Sequence, residues 1–385
     1  MAFEFATASR IVFGPGKLSE AAPAAARMGH RALVVTGASR ERAARLVAAL
    51  EAATVVCVPF SSAGEPTVEA IRAGAEFARD ERCDVVVAMG GGSAIDAGKA
   101  LAAMLTNPGE PLDYLEVIGG GQPLQHASVP FIAIPTTAGT GSEVTRNAVL
   151  GSPGHRAKAS LRSAGMLPRL AIVDPELARG LPRAATASTG LDALTQLIEP
   201  YVSARANAMT DLFCAEGMRR AAEALPRVWQ DGSDAAARSE MSWAALLGGL
   251  ALANAGLGAV HGIAAPVGGM FPAPHGAVCA AVLPHAMEIN LQALREREPQ
   301  SPALRRYEEA ARILTGRPHA TAEDGARWVA QLCRRLQVPP LGAYGVGEGD
   351  IAEIAGSAAR ASSMRANPIE LTAEEVREVI RRAAQ

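Results

Sequence analysis

The chain has 385 residues, is 49% hydrophobic and carries a formal net charge of −2, with Lys+Arg 37 against Asp+Glu 39. That length predicts two domains with a sizeable core, and the charge balance excludes the electrostatics of a nucleic-acid or anionic-membrane binder. The five cysteines (Cys57, Cys83, Cys214, Cys279, Cys333) are scattered, odd in number and without a CxxC pair, which fits buried thiols in a reducing cytoplasm and excludes a disulfide framework or structural zinc site.

The opening MAFEFATASR has no basic segment leading into an apolar one, so no signal peptide is predicted. No apolar run approaches the roughly 20 residues of a membrane span. Arg10–Gly14 reads as a short strand and Leu18–Met28 as a helix. Ala32–Thr36 is a buried strand that turns through Gly37-Ala38-Ser39 into a helix over about 40–52. Thr54–Val58 is a strand, and Pro66–Arg79 a helix with proline in its first turn. Asp84–Met89 is a strand that empties into Gly90-Gly91-Gly92-Ser93 and a helix. Pro130–Pro135 is the next strand, Asn147–Leu161 a small hairpin and Ala171–Val173 a last strand. This βαβ alternation predicts a parallel, Rossmann-like sheet with helices on both faces.

Beyond about Leu177 the pattern changes. Thr186–Glu199, Ala208–Ala224, Ala235–Gly256, Ala265–Gly269, His285–Gln292, Leu304–Leu314, Ala322–Leu336, Gly349–Ala361 and Thr372–Ala384 suit helices. The expected organisation is an α/β dinucleotide-binding domain over 1–178 and an all-α metal and substrate domain over 179–385.

In a parallel sheet, ligands bind at the carboxyl ends of the strands. Gly91, Gly92 and Ser93 let backbone approach a pyrophosphate at a helix N-terminus. Asp96 and Lys99, one and two turns on, either orient ribose or a loop or are solvated surface charges. Thr136, Thr137, Thr140 and Ser142 form a second small-residue, hydroxyl-rich loop that can cradle phosphate or ribose. At Thr36–Arg40 no acid is present to grip a ribose 2′-hydroxyl. Gly37, Ser39 and Arg40 therefore permit a 2′-phosphate, so both NAD and NADP are allowed. Asp192 and Gln196 sit at i, i+4 on one helix face. Downstream, His261 lies near a helix start and His275 in a Gly/Pro loop. A carboxylate and two imidazoles can bind a transition metal if the fold unites them. His285 reads as a cap or core histidine, and His30, His126, His155 and His319 are assigned no role.

Together, GGGSAIDAGKA (90–100), PTTAGTGSEVT (135–145), LAIVDPEL (170–177), TGLDALTQLIEPYVS (189–203), GLGAVHG (256–262), PAPHGAVCAAVLPHAMEIN (272–290) and NPIELTAEEV (367–376) resemble the iron-containing (group III) alcohol dehydrogenase family. That family has the dehydroquinate synthase-like fold and includes maleylacetate reductases. The resemblance implies a nicotinamide cofactor over Gly91, Gly92 and Ser93, with Thr136, Thr137, Thr140 and Ser142 around its phosphates and ribose. Lys158 falls at a cofactor-contacting lysine. A divalent metal (Fe2+ or Zn2+) would act as Lewis acid on an alcohol or aldehyde, held by Asp192, His261, His275 and the position of Gln196. His261 and His275 are thereby the expected catalytic histidines.

Two departures stand out. Gln196 replaces a family metal-ligating histidine, and Ala265 replaces a second histidine four residues after His261. A neutral amide is a weaker ligand than imidazole, so weakened metal binding is expected. Three readings follow: a metal-assisted NAD(P)-dependent alcohol/aldehyde oxidoreductase; a maleylacetate reductase-like enzyme with little metal dependence, its acid substrate met by Arg146 or Arg365; and a cofactor-binding protein without catalysis. Phe3–Phe13, rich in β-formers, is the expected edge of a homodimer.

Overall fold

The computed structural model describes residues 2–385 and divides into two compact units. One comprises Ala6–Thr137 and Gly141–Ala178. The other comprises the residues up to Phe5, Ala138–Thr140 and Arg179–Gln385.

The first unit is α/β. Its strands are β1 (Ile11–Phe13), β2 (Arg31–Thr36), β3 (Val56–Ser61), β4 (Val85–Gly90), β5 (Phe131–Pro135), β6 (Asn147–Ser152), β7 (Ala157–Arg162) and β8 (Leu170–Val173). Its α-helices are α1 (Ala21–Met28), α2 (Ala44–Ala52), α3 (Val68–Asp80), α4 (Gly92–Met104) and α5 (Pro111–Tyr114). Six strands form one parallel sheet in the order β1-β8-β5-β4-β2-β3. β6 and β7 pair as an antiparallel hairpin.

The near-continuous apolar runs of β2, β4 and β5 serve two cores, because alternate side chains leave opposite faces. Leu33, Val35, Val86, Ala88, Phe131 and Ala133 join Ile71 and Ala75 of α3 and Ile95 and Leu101 of α4. Val34, Val85, Val87, Ile132 and Ile134 join Ala21 and Ala25 of α1 and Leu46 and Leu50 of α2.

The second unit is helical: α6 (Arg183–Val202), α7 (Ala208–Gln230), α8 (Ala235–Ala255), α9 (Ala259–Met270), α10 (His275–Arg297), α11 (Pro302–Thr315), α12 (Ala322–Arg335), α13 (Ile351–Ala358) and α14 (Ala373–Ala384). Every residue of α6 from Gly190 to Val202 is buried, the mark of a central helix. It packs against α7, α8 and α10.

Several expectations require correction. α9 and α10 far exceed the short helices expected near 265–269 and 285–292, and they run through Pro266 and Pro284. An internal proline costs about 3 kcal/mol, and burial of these apolar helices outweighs it. His275 is consequently the first residue of α10, not part of a loop. α10 is long and apolar enough to pass for a membrane span by composition, but 83% of its apolar window is buried within the molecule, as in a core helix. Only Ile11–Phe13 of the expected edge segment Phe3–Phe13 is strand; Phe5 instead packs at a tilt against Phe213, with ring centroids 5.7 Å apart. The strand expected at 54–58 is displaced to Val56–Ser61.

Candidate active site

In the α/β unit, three neighbouring strands deliver the predicted cofactor residues to one sheet edge. Thr36 of β2 is in register with Met89 of β4, and Gly90 with Pro135 of β5. Gly37, Gly91–Ser93 and Thr136–Thr137 therefore emerge side by side at the carboxyl ends. Thr136 N–H donates to the Gly90 carbonyl at 2.8 Å, and a Cβ on Gly91 would lie 3.5 Å from Thr137. The N-terminus of α4 has neither a side-chain cap nor an acid in its first turn, an end whose unpaired N–H donors suit an anionic ligand. Ser39 heads the next turn with its hydroxyl unused as a cap, beside exposed Arg40.

Asp96 and Lys99 are not solvated surface charges. Lys99 is fully buried. Its ammonium has three donors, and they go to the Ser142 carbonyl at 3.0 Å, Thr145 Oγ1 at 2.9 Å and the Asn147 carbonyl. Asp96 Oδ1 lies 3.0 Å from that ammonium. The carboxylate also accepts from Ser142 Oγ and, at 2.9 Å, from Val149 N–H. This network clamps the loop that carries Ser142, which begins at Gly141 with φ 58°. Burial lowers the Lys99 pKa against the opposing pull of Asp96 and Glu143. Burial likewise pushes the Glu143 carboxyl up to about 7. Lys158, on β7, is nearly buried and ion-paired with Glu65. Thr140 lies in the short Ala138–Thr140 stretch that groups with the helical unit.

The helical unit gathers a different chemistry. One donor atom each from Asp192 (α6), His261 (α9), His275 and Cys279 (α10) lies within 4.8 Å of the others. His261 Nε2 is 3.4 Å and His275 Nε2 3.8 Å from Asp192 Oδ1, and Cys279 Sγ is 3.6 Å from His275 Nε2. Gly276 lets α10 begin this close to α6, since a Cβ there would lie 2.4 Å from the Ser188 carbonyl oxygen. Glu199, two turns beyond Asp192 on α6, orients His261: its Oε2 is 2.6 Å from His261 Nδ1, while its Oε1 accepts from Val260 N–H at 2.7 Å. With Nδ1 turned to Glu199, Nε2 is the nitrogen that faces Asp192, and it is the one free to ligate once its proton is displaced.

Burial opposes protonation of His261, but the Cys279 thiolate, Glu199 and Asp192 outweigh it and raise its pKa well above the ordinary value. Cys279 mainly, against opposing burial, raises His275. Burial favours neutral Asp192 and Cys279, yet the imidazoles hold both below their usual values. Asp192 Oδ1 and Gln196 Oε1 are buried without a hydrogen-bond partner. Buried polar atoms are normally satisfied, so the anionic donors and the unpartnered Asp192 oxygen converging on one point fit a divalent cation.

The structure thus unites Asp192, His261 and His275 of the sequence-derived metal set, with buried Gln196 one turn beyond Asp192 on α6. Two members were missed. The sequence reading counts Cys279 only among the buried thiols, although it stands four residues after His275 on the same helix face. Glu199 was given no role, although it lies seven residues after Asp192.

The sequence profile of the iron-containing alcohol dehydrogenase family matches residues 8–175, and that of the family's C-terminal region matches 186–384. The chain belongs to the iron-containing alcohol dehydrogenase family. It is an oxidoreductase of that type. It is 34% identical over 377 residues to alcohol dehydrogenase 4 of Saccharomyces cerevisiae, covering 96% of each chain. The structure of a 1,3-propanediol oxidoreductase superposes with a TM-score of 0.91 at 31% identity, covering 100% of both chains. A sulfoacetaldehyde reductase from Bifidobacterium kashiwanohense, in complex with NAD+, superposes with a TM-score of 0.87 at 30% identity, covering 100% of this chain and 99% of that one.

Proposed function

We propose that this iron-containing alcohol dehydrogenase relative transfers hydride between an alcohol/aldehyde pair and a nicotinamide dinucleotide, with the α/β unit holding the dinucleotide and the helical unit the metal. The observation that carries the reading is the buried convergence of Asp192, His261 and His275 with an unpartnered Asp192 oxygen. When bound there, a divalent ion supplies Lewis acidity toward a substrate oxygen, and the nicotinamide supplies the hydride or accepts it.

The chain's own residues do the rest. Gly91, Gly92 and Ser93 offer N–H donors to a pyrophosphate. The Asp96–Lys99 pair holds Ser142 in place and is a positioning device, not a cofactor ligand. Gly37, Ser39 and Arg40 leave space and positive charge for a 2′-phosphate, so NADP is accepted as well as NAD. Glu199 keeps His261 in the tautomer that presents Nε2. Ala265 offers no proton donor on α9, so the substrate hydroxyl exchanges its proton with water.

Protein reconstituted with Fe2+ or Zn2+ is expected to oxidise NAD(P)H with a panel of small aldehydes, followed by nicotinamide absorbance, and to lose that activity on chelation. No turnover with any aldehyde or alcohol after reconstitution overturns the proposal. We also propose a cytoplasmic homodimer joined along β1, whose free edge faces away from β8. A monomer mass by light scattering rejects the dimer.

A further inference from the structure

Resting on the metal reading above, we propose that Cys279 is a direct ligand of that metal. It takes up as thiolate the donor role left open by Gln196, making an Asp–His–His–Cys set that favours a thiophilic divalent ion such as Zn2+ over Fe2+. Three observations on the page carry this. Cys279 Sγ lies with the Asp192, His261 and His275 donor atoms inside 4.8 Å. The thiol is fully buried and adjoins imidazole rather than hydrocarbon alone, at 3.6 Å from His275 Nε2. Asp192 Oδ1, a member of this cluster, and Gln196 Oε1, one turn along α6, are buried without a hydrogen-bond partner, which suits donors to a cation.

Position on the helix adds to the case. His275 and Cys279 are i and i+4, one above the other on α10, so both reach the same point without distortion. The other four cysteines lie outside this cluster. On binding, the S–H bond of Cys279 breaks, its proton leaves to solvent and a sulfur–metal bond forms, with no change of oxidation state. Thiolate is a softer donor than imidazole or carboxylate, which moves preference toward zinc.

The test uses the full chain loaded with Co2+ or Zn2+. The expected result is a thiolate-to-cobalt charge-transfer band in the near ultraviolet that is absent from Cys279→Ser. Zinc affinity of that variant should fall at least about 10-fold. X-ray absorption of the unsubstituted zinc form should show a sulfur shell at about 2.3 Å, which decides the matter even if the variant fails to fold. Visible cobalt bands without charge transfer, or a shell of nitrogen and oxygen alone, overturn the Cys279 assignment while leaving the metal site standing. No cobalt bands at all overturn both.

Discussion

The Lys99 network and the Asp192 cluster are both buried, charged and clamped between elements, yet they differ in one respect. Around Lys99 every ammonium donor has a partner, and Asp96 holds Ser142 Oγ and Val149 N–H as well. Around Asp192, carboxylate, imidazole and thiol converge while oxygens of Asp192 and Gln196 go unpartnered. A satisfied buried network rigidifies a loop; an unsatisfied one is complete only with a ligand. The comparison separates a part of the molecule whose charges fix a loop from a part whose donors could hold a metal ion.

Three substitutions bear on that contrast, from the largest effect to the smallest. Lys99→Met should unfold or severely destabilise the α/β unit, by about 3–5 kcal/mol, because it strands the Asp96 carboxylate without its counter-charge. Denaturant unfolding measures it, and a loss below about 1 kcal/mol would mean the network is not structural. Glu199→Gln should leave stability nearly intact but weaken metal binding about 10–100-fold by releasing His261 Nδ1. Competition with a chelating indicator reads this out, and unchanged affinity would remove Glu199 as a positioning residue.

The smallest effect, taken over a single pH unit, concerns titration. Glu143 is raised by burial from 4.5 to about 7. Between those values the unfolded chain has released a proton that the folded chain keeps, so stability falls as pH rises, by at most about 1.4 kcal/mol per unit. Glu143→Gln should flatten that slope between pH 4.5 and about 7. A slope identical in the variant would show that Glu143 does not titrate in this range.

Much was legible without coordinates. The apolar runs at Ala32–Thr36, Val85–Met89 and Phe131–Pro135, each followed by glycine or small hydroxyl residues, are local patterns, and local patterns suffice to propose strands, turns and a parallel sheet. Asp192, His261 and His275 were weak candidates as isolated residues and became a metal set only through the resemblance of their flanking stretches to a known family. Helix lengths were not legible, because a proline disfavours a helix interior locally while tertiary burial carries α9 through Pro266 and α10 through Pro284. Lys99 gave no sign of full burial, since its partners at Ser142, Thr145 and Asn147 are more than forty residues away.

The sequence by itself determined the alternation of strands and helices and the glycine turns at the strand ends, because each rests on periodicity or short spacing, while the carboxylate and imidazoles of a metal set were implied by the family resemblance of the stretches that carry them. Only the tertiary structure decided that Cys279 and Glu199 belong with them. α6, α9 and α10 are separated in sequence, and only their packing, with Gly276 allowing close approach, brings a thiol, two imidazoles and a carboxylate to one buried point.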